Sequence, residues 1–255
     1  MRLKDKAIIV TGSTTGIGEA IARRCVAEGA RVLLHGLEPE MGEAVAAELG
    51  MPLEIADLAD PAVPARLVAR TLEAFGRLDG VVNNAAWVCR GQLAAVTAGM
   101  FDRIMAINCR APLLLIQAAV DALAERRGSV VNIGSVNAYC GEENLLPYSI
   151  SKGALMTLTR NLGDTLMRQR LVRVNQINPG WVLTANEIRF KQAEGMKDGW
   201  WADLPKMFAP SGRIFDPAEI AEAVVYFLSD FSGPISGQVL DIEQHPFIGR
   251  NPPKC

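Results

Sequence analysis

Cysteine and histidine are scarce in this chain, and neither sign of charge is in excess. Five cysteines and two histidines occur in 255 residues. No two cysteines have the C-x-x-C spacing, which argues against a disulfide framework and against a zinc site. Lysine and arginine number 26 and aspartate and glutamate 28, for a formal net charge of −2. A surface that covers nucleic-acid phosphates is therefore not expected, and neither is a bound metal.

Long hydrophobic runs are also missing. The first apolar run, Ala7–Val10, is too short for a signal peptide or a membrane span. Later apolar stretches are interrupted by charged residues or glycine, and no basic amphipathic segment suits an anionic membrane surface. We therefore expect a cytoplasmic protein without membrane partners.

Short apolar runs alternate with longer segments of helical spacing along the whole chain. The predicted strands are Ala7–Val10, a run from Arg31, Leu53–Ile55, runs from Asp79, Ser129 and Val172, and Gln238–Ile242. The predicted helices are Ile17–Glu28, Met41–Leu49, Val63–Phe75, Phe101–Leu123 with a kink at Pro112, Tyr148–Met167 and Pro217–Leu228. Almost purely apolar strands are buried on both faces by helices. The pattern predicts a single α/β domain over 1–255, a doubly wound parallel sheet (Rossmann fold) of about seven strands with helices on both faces.

One segment, at about 184–215, breaks this alternation. It contains two tryptophans, Trp200 and Trp201, together with methionines, glycines and prolines. We expect a mobile helical flap beside a substrate site rather than a second domain. A surface insertion without a role is the alternative.

A glycine-rich turn follows the first predicted strand. It has the sequence TGSTTGIG over Thr11–Gly18, with glycines at Gly12, Gly16 and Gly18. Glycine allows a close backbone approach, and the N-terminal N–H groups of the next helix favour an anion. Between a strand and a helix, such a turn predicts a cradle for a dinucleotide pyrophosphate. A glycine-rich loop without a ligand is the alternative.

The end of the second predicted strand bears on the choice between NAD(H) and NADP(H). A ribose-binding acid is expected there, and a basic residue would suit a 2′-phosphate. The acid position falls on Gly36, followed by Leu37 and Glu38, and none of these is basic. This favours NAD(H) over NADP(H). Asp57, after the third strand, is expected near the adenine, although a helix N-cap would explain it equally well.

Tyr148 and Lys152 lie four positions apart at the start of a predicted helix and therefore share one face. A tyrosine with a pKa near 10 is a poor base at neutral pH, but a nearby ammonium group stabilises the phenolate. Ser135 follows a predicted strand at the edge where ligands of α/β proteins bind. The three residues suit proton transfer to a substrate oxygen. A chance pair on a helix surface is the alternative for Tyr148 and Lys152.

In this order, the motifs resemble those of the short-chain dehydrogenase/reductase family over nearly the whole chain. The segments that carry the resemblance are TGSTTGIG, NNAA at Asn83–Ala86, IMAINCRAP with Asn108, Ser135, the Tyr148–Lys152 pair and NPGWVLT at Asn178–Thr184. The resemblance implies an NAD(P)-dependent oxidoreductase that interconverts a secondary alcohol and a ketone. It implies catalytic roles for Asn108, Ser135, Tyr148 and Lys152.

The resemblance also implies a set of cofactor contacts and an assembly. The cofactor-binding positions are Gly12, Ser13, Thr14, Thr15, Gly16, Ile17, Gly18, Gly36, Leu37, Glu38, Asp57, Leu58, Asn84, Ala85, Ala86, Tyr148, Lys152, Pro179, Gly180, Val182 and Thr184. Relatives are usually tetramers, so we expect a homotetramer. The chain departs from the family at Gly36 and at its C-terminal end, where Glu243, Gln244 and His245 stand in place of Asp-Gly-Gly.

Residues after the strand ends suggest the substrate. The candidates are Ser135, Asn137, Glu142, Tyr148 and Trp181, with Trp87, Cys140 and Asn144 as further pocket residues. Amide and carboxylate groups bind hydroxyls, and Trp faces suit sugar C–H surfaces, which favours a polyol, sugar or hydroxy acid. The aromatic flap favours an apolar ketone instead. Two other functions remain open: an NADPH-dependent 3-oxoacyl or carbonyl reductase, and a non-catalytic nucleotide sensor.

Overall fold

A single seven-stranded sheet forms the centre of the protein, seen in a computed structural model that describes residues 1–139 and 142–245. Its strands are β1 (Ala7–Val10), β2 (Arg31–Gly36), β3 (Leu53–Ile55), β4 (Gly80–Asn83), β5 (Ser129–Ile133), β6 (Arg173–Pro179) and β7 (Val239–Ile242). They lie in the order β3-β2-β1-β4-β5-β6-β7, and every neighbouring pair is parallel. The order reverses between β1 and β4, so a crevice opens at the carboxyl ends of these strands.

Helices cover both faces of the sheet. They are α1 (Gly16–Ala27), α2 (Pro39–Leu49), α3 (Val63–Phe75), α4 (Ala98–Met105), α5 (Ala111–Ala124), α6 (Leu146–Arg170), α7 (Ala185–Ala193) and α8 (Pro217–Leu228). Side chains alternate along each strand: Ile8 and Val10 join the core with α1 and α8, whereas Ile9 joins the core with α3 and α5. The predicted doubly wound parallel sheet is confirmed.

The longest predicted helix contains an irregular turn close to Pro112, where a kink was expected. The helical segment Ala98–Ala124 widens into a π-helical turn at Ala106–Arg110, just before Pro112. Pro112 has no N–H to offer the carbonyl of Asn108, so the normal helical bond is missing there. The segment is long and apolar enough to cross a membrane, but half of its most apolar window is buried inside the protein. Core packing accounts for the apolar character of the buried half.

The segment predicted as a flap leaves the sheet after β6, returns to its own starting point and has a small hydrophobic core of its own. Its two ends are joined, because the Leu183 N–H donates to the Phe215 carbonyl (2.8 Å) and the Phe215 N–H to the Trp181 carbonyl (2.9 Å). Trp181 stacks on Trp200 with ring centroids 5.1 Å apart. Trp200 packs with Ala209 and Ile214 in this small core. The tryptophans that interrupt the strand–helix pattern therefore pack against one another.

Candidate active site

The glycine-rich turn brings backbone atoms closer together than any side chain would allow. Gly12 has a φ of +62°, and a Cβ there would lie 2.9 Å from the Cα of Ala85. A Cβ on Gly18 would lie 2.0 Å from the carbonyl oxygen of Gly12. Helix α1 begins directly after Thr15, whose side chain makes no capping bond, so the first N–H groups of α1 remain open to the cleft. This cradle suits an anion such as a pyrophosphate.

A buried histidine of β2, His35, supports the glycine-rich turn through a hydrogen bond. His35 Nδ1 accepts a hydrogen bond from the Gly12 N–H (3.2 Å), and Nε2 donates to the Ala56 carbonyl (3.1 Å). This pairing holds the neutral imidazole in one tautomer. Ser13 also faces β2, since its N–H donates to the His35 carbonyl and its hydroxyl accepts from the His35 N–H. Ser13, predicted to bind cofactor, therefore does not line the cleft, because its side chain is buried against β2.

We expect His35 to make stability depend on pH between about 4 and 6.5. Burial lowers its pKa from 6.5 to about 4, so the unfolded chain takes up a proton before the folded protein does. Its contribution is present above pH 6.5 and is lost as pH falls towards 4, by about 3 kcal/mol in full. The measurement is the free energy of unfolding by urea from pH 7 to pH 5 for the native protein and His35→Asn. The variant should show a shallower slope.

The pH range above 7 supplies the control for this prediction. Between pH 7 and pH 8.5, above both the folded and the unfolded pKa of His35, the native protein and His35→Asn should show the same slope. If the two proteins also have the same slope between pH 5 and pH 7, burial of the neutral imidazole is not the source of the pH dependence.

At the end of β2 the cleft has no basic side chain in place. A Cβ on Gly36 would lie 2.6 Å from the hydroxyl oxygen of Thr14, so Thr14 occupies the space of an acidic side chain there. Leu37 is 53% exposed at the cleft wall, and Glu38 follows it at the start of α2. Asp57 lies across the cleft and accepts hydrogen bonds from the Ala59 N–H and from Arg103, which lower its pKa. Arg103 is therefore already paired.

Tyr148 and Lys152 lie in the first two turns of α6, beside the end of β5. Lys152 Nζ donates to the Ile133 carbonyl (2.7 Å) and lies 5.5 Å from the centroid of the Tyr148 ring. Burial lowers the pKa of Lys152 to about 8. Burial also raises the pKa of Tyr148 to about 12, against a smaller lowering by its hydrogen bond with Ser135. The structure thus brings the three residues together at one point of the cleft.

Asn108 lies behind this group rather than in the cleft wall. It is in the π-helical turn, where its Oδ1 accepts from the Trp87 N–H (2.8 Å) and its Nδ2 donates to the Ser151 hydroxyl (3.0 Å). Ser151 precedes Lys152, so Asn108 connects the segment after β4 to the helix that carries Tyr148 and Lys152. The wider turn directs the amide towards α6.

A row of buried polar side chains supports Ser135. Asn178 Oδ1 accepts from the Ser135 N–H (3.1 Å) and from Gln176 Nε2 (2.7 Å). Asn178 Nδ2 in turn donates to Asp241 on β7 (3.0 Å). Because Asn178 and Gln176 are fully buried, these bonds hold Ser135 on a rigid base.

One cleft of about 1070 Å³ connects the cradle with the Tyr148 group. Of the predicted cofactor-binding residues, all except Ser13 line it. Trp87, Asn137, Glu142 and Trp181 also line it, whereas Asn144 does not, and Cys140 lies outside the described residues. In the described ranges 1–139 and 142–245, no three His, Cys, Asp or Glu side chains are grouped to hold a metal.

Several residues of the cleft have little or no sequence signal of their own. His35 is hidden in an apolar strand, and Arg90 follows β4 in a stretch without periodicity. Lys191 resembles an ordinary charged residue of α7, and His245 belongs to an unusual tail. All four line the cleft. The signal that points to Arg90 is a single charge in the apolar segment AAWVCRGQL, and that signal is weak.

A phosphate cradle and a Tyr–Lys pair at the same sheet edge define a dinucleotide-dependent oxidoreductase. The family model described as enoyl-(acyl carrier protein) reductase matches residues 12–244. The chain is 37% identical to sorbitol dehydrogenase of Cereibacter sphaeroides, covering 95% of this chain and 98% of that one. It is 33% identical to 2-(S)-hydroxypropyl-CoM dehydrogenase 3 of Xanthobacter autotrophicus (strain ATCC BAA-1158 / Py2), covering 95% and 96%.

A solved structure agrees with these relatives. The crystal structure of levodione reductase superposes with a TM-score of 0.87 at 30% identity, covering 95% of this chain and 97% of that one. The chain belongs to the short-chain dehydrogenase/reductase family. It is an NAD(P)-dependent enzyme that interconverts a secondary alcohol and a ketone.

Proposed function

We propose that this enzyme oxidises or reduces a polar substrate with Tyr148 as the group that transfers the proton. The observation that carries the proposal is the position of the buried Lys152, 5.5 Å from the Tyr148 ring, with Ser135 close enough to the Tyr148 hydroxyl to lower its pKa. Burial disfavours the charged form of a lysine side chain, so a lysine buried at the end of a central strand usually has a catalytic role.

The residues present fit a nicotinamide dinucleotide. The cradle at Gly12 and Gly18 leaves no room for a Cβ, and the open N–H groups of α1 favour a pyrophosphate. Thr184, Val182 and Pro179 line the same cleft as Tyr148 and would hold the nicotinamide end. When bound, the cofactor supplies or accepts the hydride.

Tyr148 exchanges the proton with the substrate oxygen. Burial keeps its pKa at about 12, so the hydroxyl form is present at neutral pH and can donate to the oxygen of a ketone. In alcohol oxidation the same oxygen must accept a proton, and the Lys152 ammonium favours the phenolate that does so. Ser135 holds the substrate oxygen beside Tyr148. Asn108, bonded to Ser151, fixes the position of the helix turn that presents Lys152.

We propose NAD(H) as the preferred cofactor. Gly36, Leu37 and Glu38 place no positive charge at the end of β2, and Glu38 would repel a 2′-phosphate. Arg103 lines the same cleft and is paired with the Asp57 carboxylate at 2.9 Å. Among the described residues at the end of β2, a 2′-phosphate would therefore meet no free cation.

Leu37→Arg should raise kcat/KM for NADP+ relative to NAD+ by about 10-fold or more. A charge-assisted bond to phosphate contributes about 1.5–3 kcal/mol, and about 1.4 kcal/mol corresponds to a factor of ten. The measurement is the initial rate at varied concentrations of each cofactor. Leu37→Gln, which adds length and polarity without charge, should leave the ratio near its native value. An unchanged ratio in the arginine variant would mean that the ribose 2′ position does not lie beside Leu37.

The substrate is proposed to be a polyol, sugar or hydroxy acid. Asn137 and Glu142 line the cleft and can bind hydroxyl groups, and the Trp87 ring, which also lines it, suits C–H surfaces. The Trp181 indole is held in place by donating to Glu187 at 2.9 Å. The apolar side chains of the flap, among them Met207 and Phe208, line the outer part of the same cleft.

The proposal is tested with a panel of polyols, sugars, hydroxy acids and simple secondary alcohols, each with NAD+ and NADP+, followed by nicotinamide absorbance. Turnover of polar substrates with NAD+ is expected. Turnover of hydrophobic alcohols or ketones alone would overturn the substrate class. Turnover with NADP+ alone would overturn the cofactor preference and favour a carbonyl reductase.

We also propose a cytoplasmic homotetramer that acts on a small molecule and not on nucleic acid or membranes. Exposed apolar side chains on outer surfaces support contacts between subunits: Leu113 on α5, Phe231 after α8, at 75% exposure, and Leu240 on β7. The balanced charge of the chain supports the absence of a nucleic-acid partner.

A further inference from the structure

Arg90 lies in the wall of the cleft close to the turn that leads into α6. The Gly91 N–H donates to the Asn144 carbonyl (2.7 Å), and Gly91 forms a parallel bridge with Leu145. Tyr148 follows in the first turn of α6, so the backbone that carries Arg90 runs beside the backbone that leads to Tyr148. Both side chains line the same cleft.

The guanidinium of Arg90 is incompletely paired. Its Nη1 lies 3.2 Å from Glu194 Oε1, and its Cζ lies 5.8 Å from the centroid of the Phe190 ring. Its Nε is buried and has no hydrogen-bond partner among the described residues. A buried donor without a partner is destabilising, and a bound acceptor would offset that loss.

A second cation accompanies Arg90 and shares its counterion. Lys191 Nζ lies 2.9 Å from Glu194 Oε2 and 5.7 Å from the Trp181 ring centroid. Lys191 also lines the cleft, whereas Glu194 does not. Two positive charges therefore share one carboxylate, and the pair keeps a net positive charge on the side that faces the cleft.

The other carboxylates of this part of the cleft are placed away from that pair or are already bonded. Glu187 accepts from the Trp181 indole at 2.9 Å, and Glu243, beside Gly180, accepts from the Gln244 N–H at 2.6 Å. Glu142 is an exposed residue of the cleft. A negatively charged substrate group would be repelled by these three carboxylates and attracted by Arg90. The charges thus favour a single orientation of an acidic substrate.

We propose that Arg90, assisted by Lys191, binds a carboxylate of the substrate, which makes the substrate a hydroxy acid and the product its keto acid. The inference rests on the proposed function and narrows the substrate from a polyol, sugar or hydroxy acid to a hydroxy acid. The planar guanidinium presents parallel N–H donors that match the two oxygens of a carboxylate. Glu194 acts as the counterion that the substrate carboxylate partly replaces.

The test compares hydroxy acids with their uncharged primary amides of the same shape, namely lactate with lactamide and 3-hydroxybutyrate with 3-hydroxybutyramide. The native enzyme should prefer one of the acids over its amide. Arg90→Gln should raise KM for that acid by about 10- to 100-fold, since a charge-assisted bond contributes about 1.5–3 kcal/mol. It should leave kcat/KM for the amide within about twofold of the native value.

Two further variants separate recognition from a structural role. Glu194→Gln removes the competing carboxylate and should lower KM for the acid, the opposite of the Arg90 effect. Arg189→Gln is the control for loss of a positive charge, because Arg189 lies exposed on α7, bonds Asn186 and does not line the cleft. It should leave KM for the acid at its native value. An equal loss for acid and amide in Arg90→Gln would show that Arg90 only supports α7, and would overturn the proposal.

A binding measurement keeps the inference separate from the proposed function. Lactate and 3-hydroxybutyrate should raise the thermal unfolding temperature of the NAD+-bound native protein and not that of Arg90→Gln. If no alcohol is turned over while this Arg90-dependent shift persists, the proposed function fails and the carboxylate site stands. If neutral polyols are turned over and the acids give no Arg90-dependent shift, the function stands and the site is overturned.

Discussion

Tyr148→Phe should lower kcat for alcohol oxidation by about 10³-fold while leaving the affinity for NAD+ within about twofold of the native value. The variant keeps the ring and removes only the hydroxyl oxygen, and general acid–base groups contribute about 10²- to 10⁴-fold. Ser135 and Lys152 remain in place, so the cleft can still bind both ligands. The measurement is the steady-state rate by nicotinamide absorbance, with cofactor binding followed by fluorescence.

Tyr226→Phe is the control for this prediction. Tyr226 lies on α8, outside the cleft, and loses the same hydroxyl group. Its rate should equal that of the native enzyme. If Tyr148→Phe retains more than about a tenth of the native kcat, another group transfers the proton, because removal of a general acid–base costs at least about 10².

Gly18→Ala should weaken NAD+ binding by about 100-fold or more. The added Cβ would lie 2.0 Å from the Gly12 carbonyl oxygen and 2.3 Å from Asn84 Nδ2, and neither can move freely. Asn84 Nδ2 itself donates to the Thr11 and Gly12 carbonyls, at 2.9 and 3.0 Å, so the clash disturbs the base of the cradle. A misplaced turn loses its aligned N–H donors to the pyrophosphate, and a loss of about 3 kcal/mol corresponds to about 100-fold.

Gly99→Ala supplies the matched control for this change. Gly99 is also in the first turn of a helix, and a Cβ there would have no atom within 4 Å. NAD+ binding should be unchanged in this variant, and both variants should be checked for folding by circular dichroism. Native affinity in a folded Gly18→Ala protein would show that the cofactor does not use this turn.

The order of strands and helices follows from local patterns. Ala7–Val10 is a short apolar run typical of a buried strand, and Val63–Phe75 has the spacing of an amphipathic helix. The predicted bounds of both elements lie close to those observed. The segment around Pro112 shows the limit of such local rules. The missing N–H was predictable, but the π-helical turn before Pro112 was not, and it lies where this segment packs against α6.

The cleft itself was only partly predictable. The cradle and the Tyr148–Lys152 pair have recognisable spacing, so their positions follow from the sequence. Ser13 was expected beside the cofactor, yet it faces His35, because the direction of one side chain in a turn depends on the neighbouring strand. Arg90 had no recognisable spacing, and it becomes a candidate only through its neighbours Asn144 and Glu194.

By itself, the sequence determined the parallel sheet, the phosphate turn and the spacing of Tyr148 and Lys152, because these depend on residues within a few positions of one another. Only the tertiary structure decided which distant side chains meet. Strand β2 brings His35 within hydrogen-bond distance of Gly12. The flap segment brings Glu194 into ion pairs with both Arg90 and Lys191. The residues in each of these contacts come from different segments of the chain, and the distance between them is set by the strand order and by packing. Neither the strand order nor the packing follows from a periodicity along the chain.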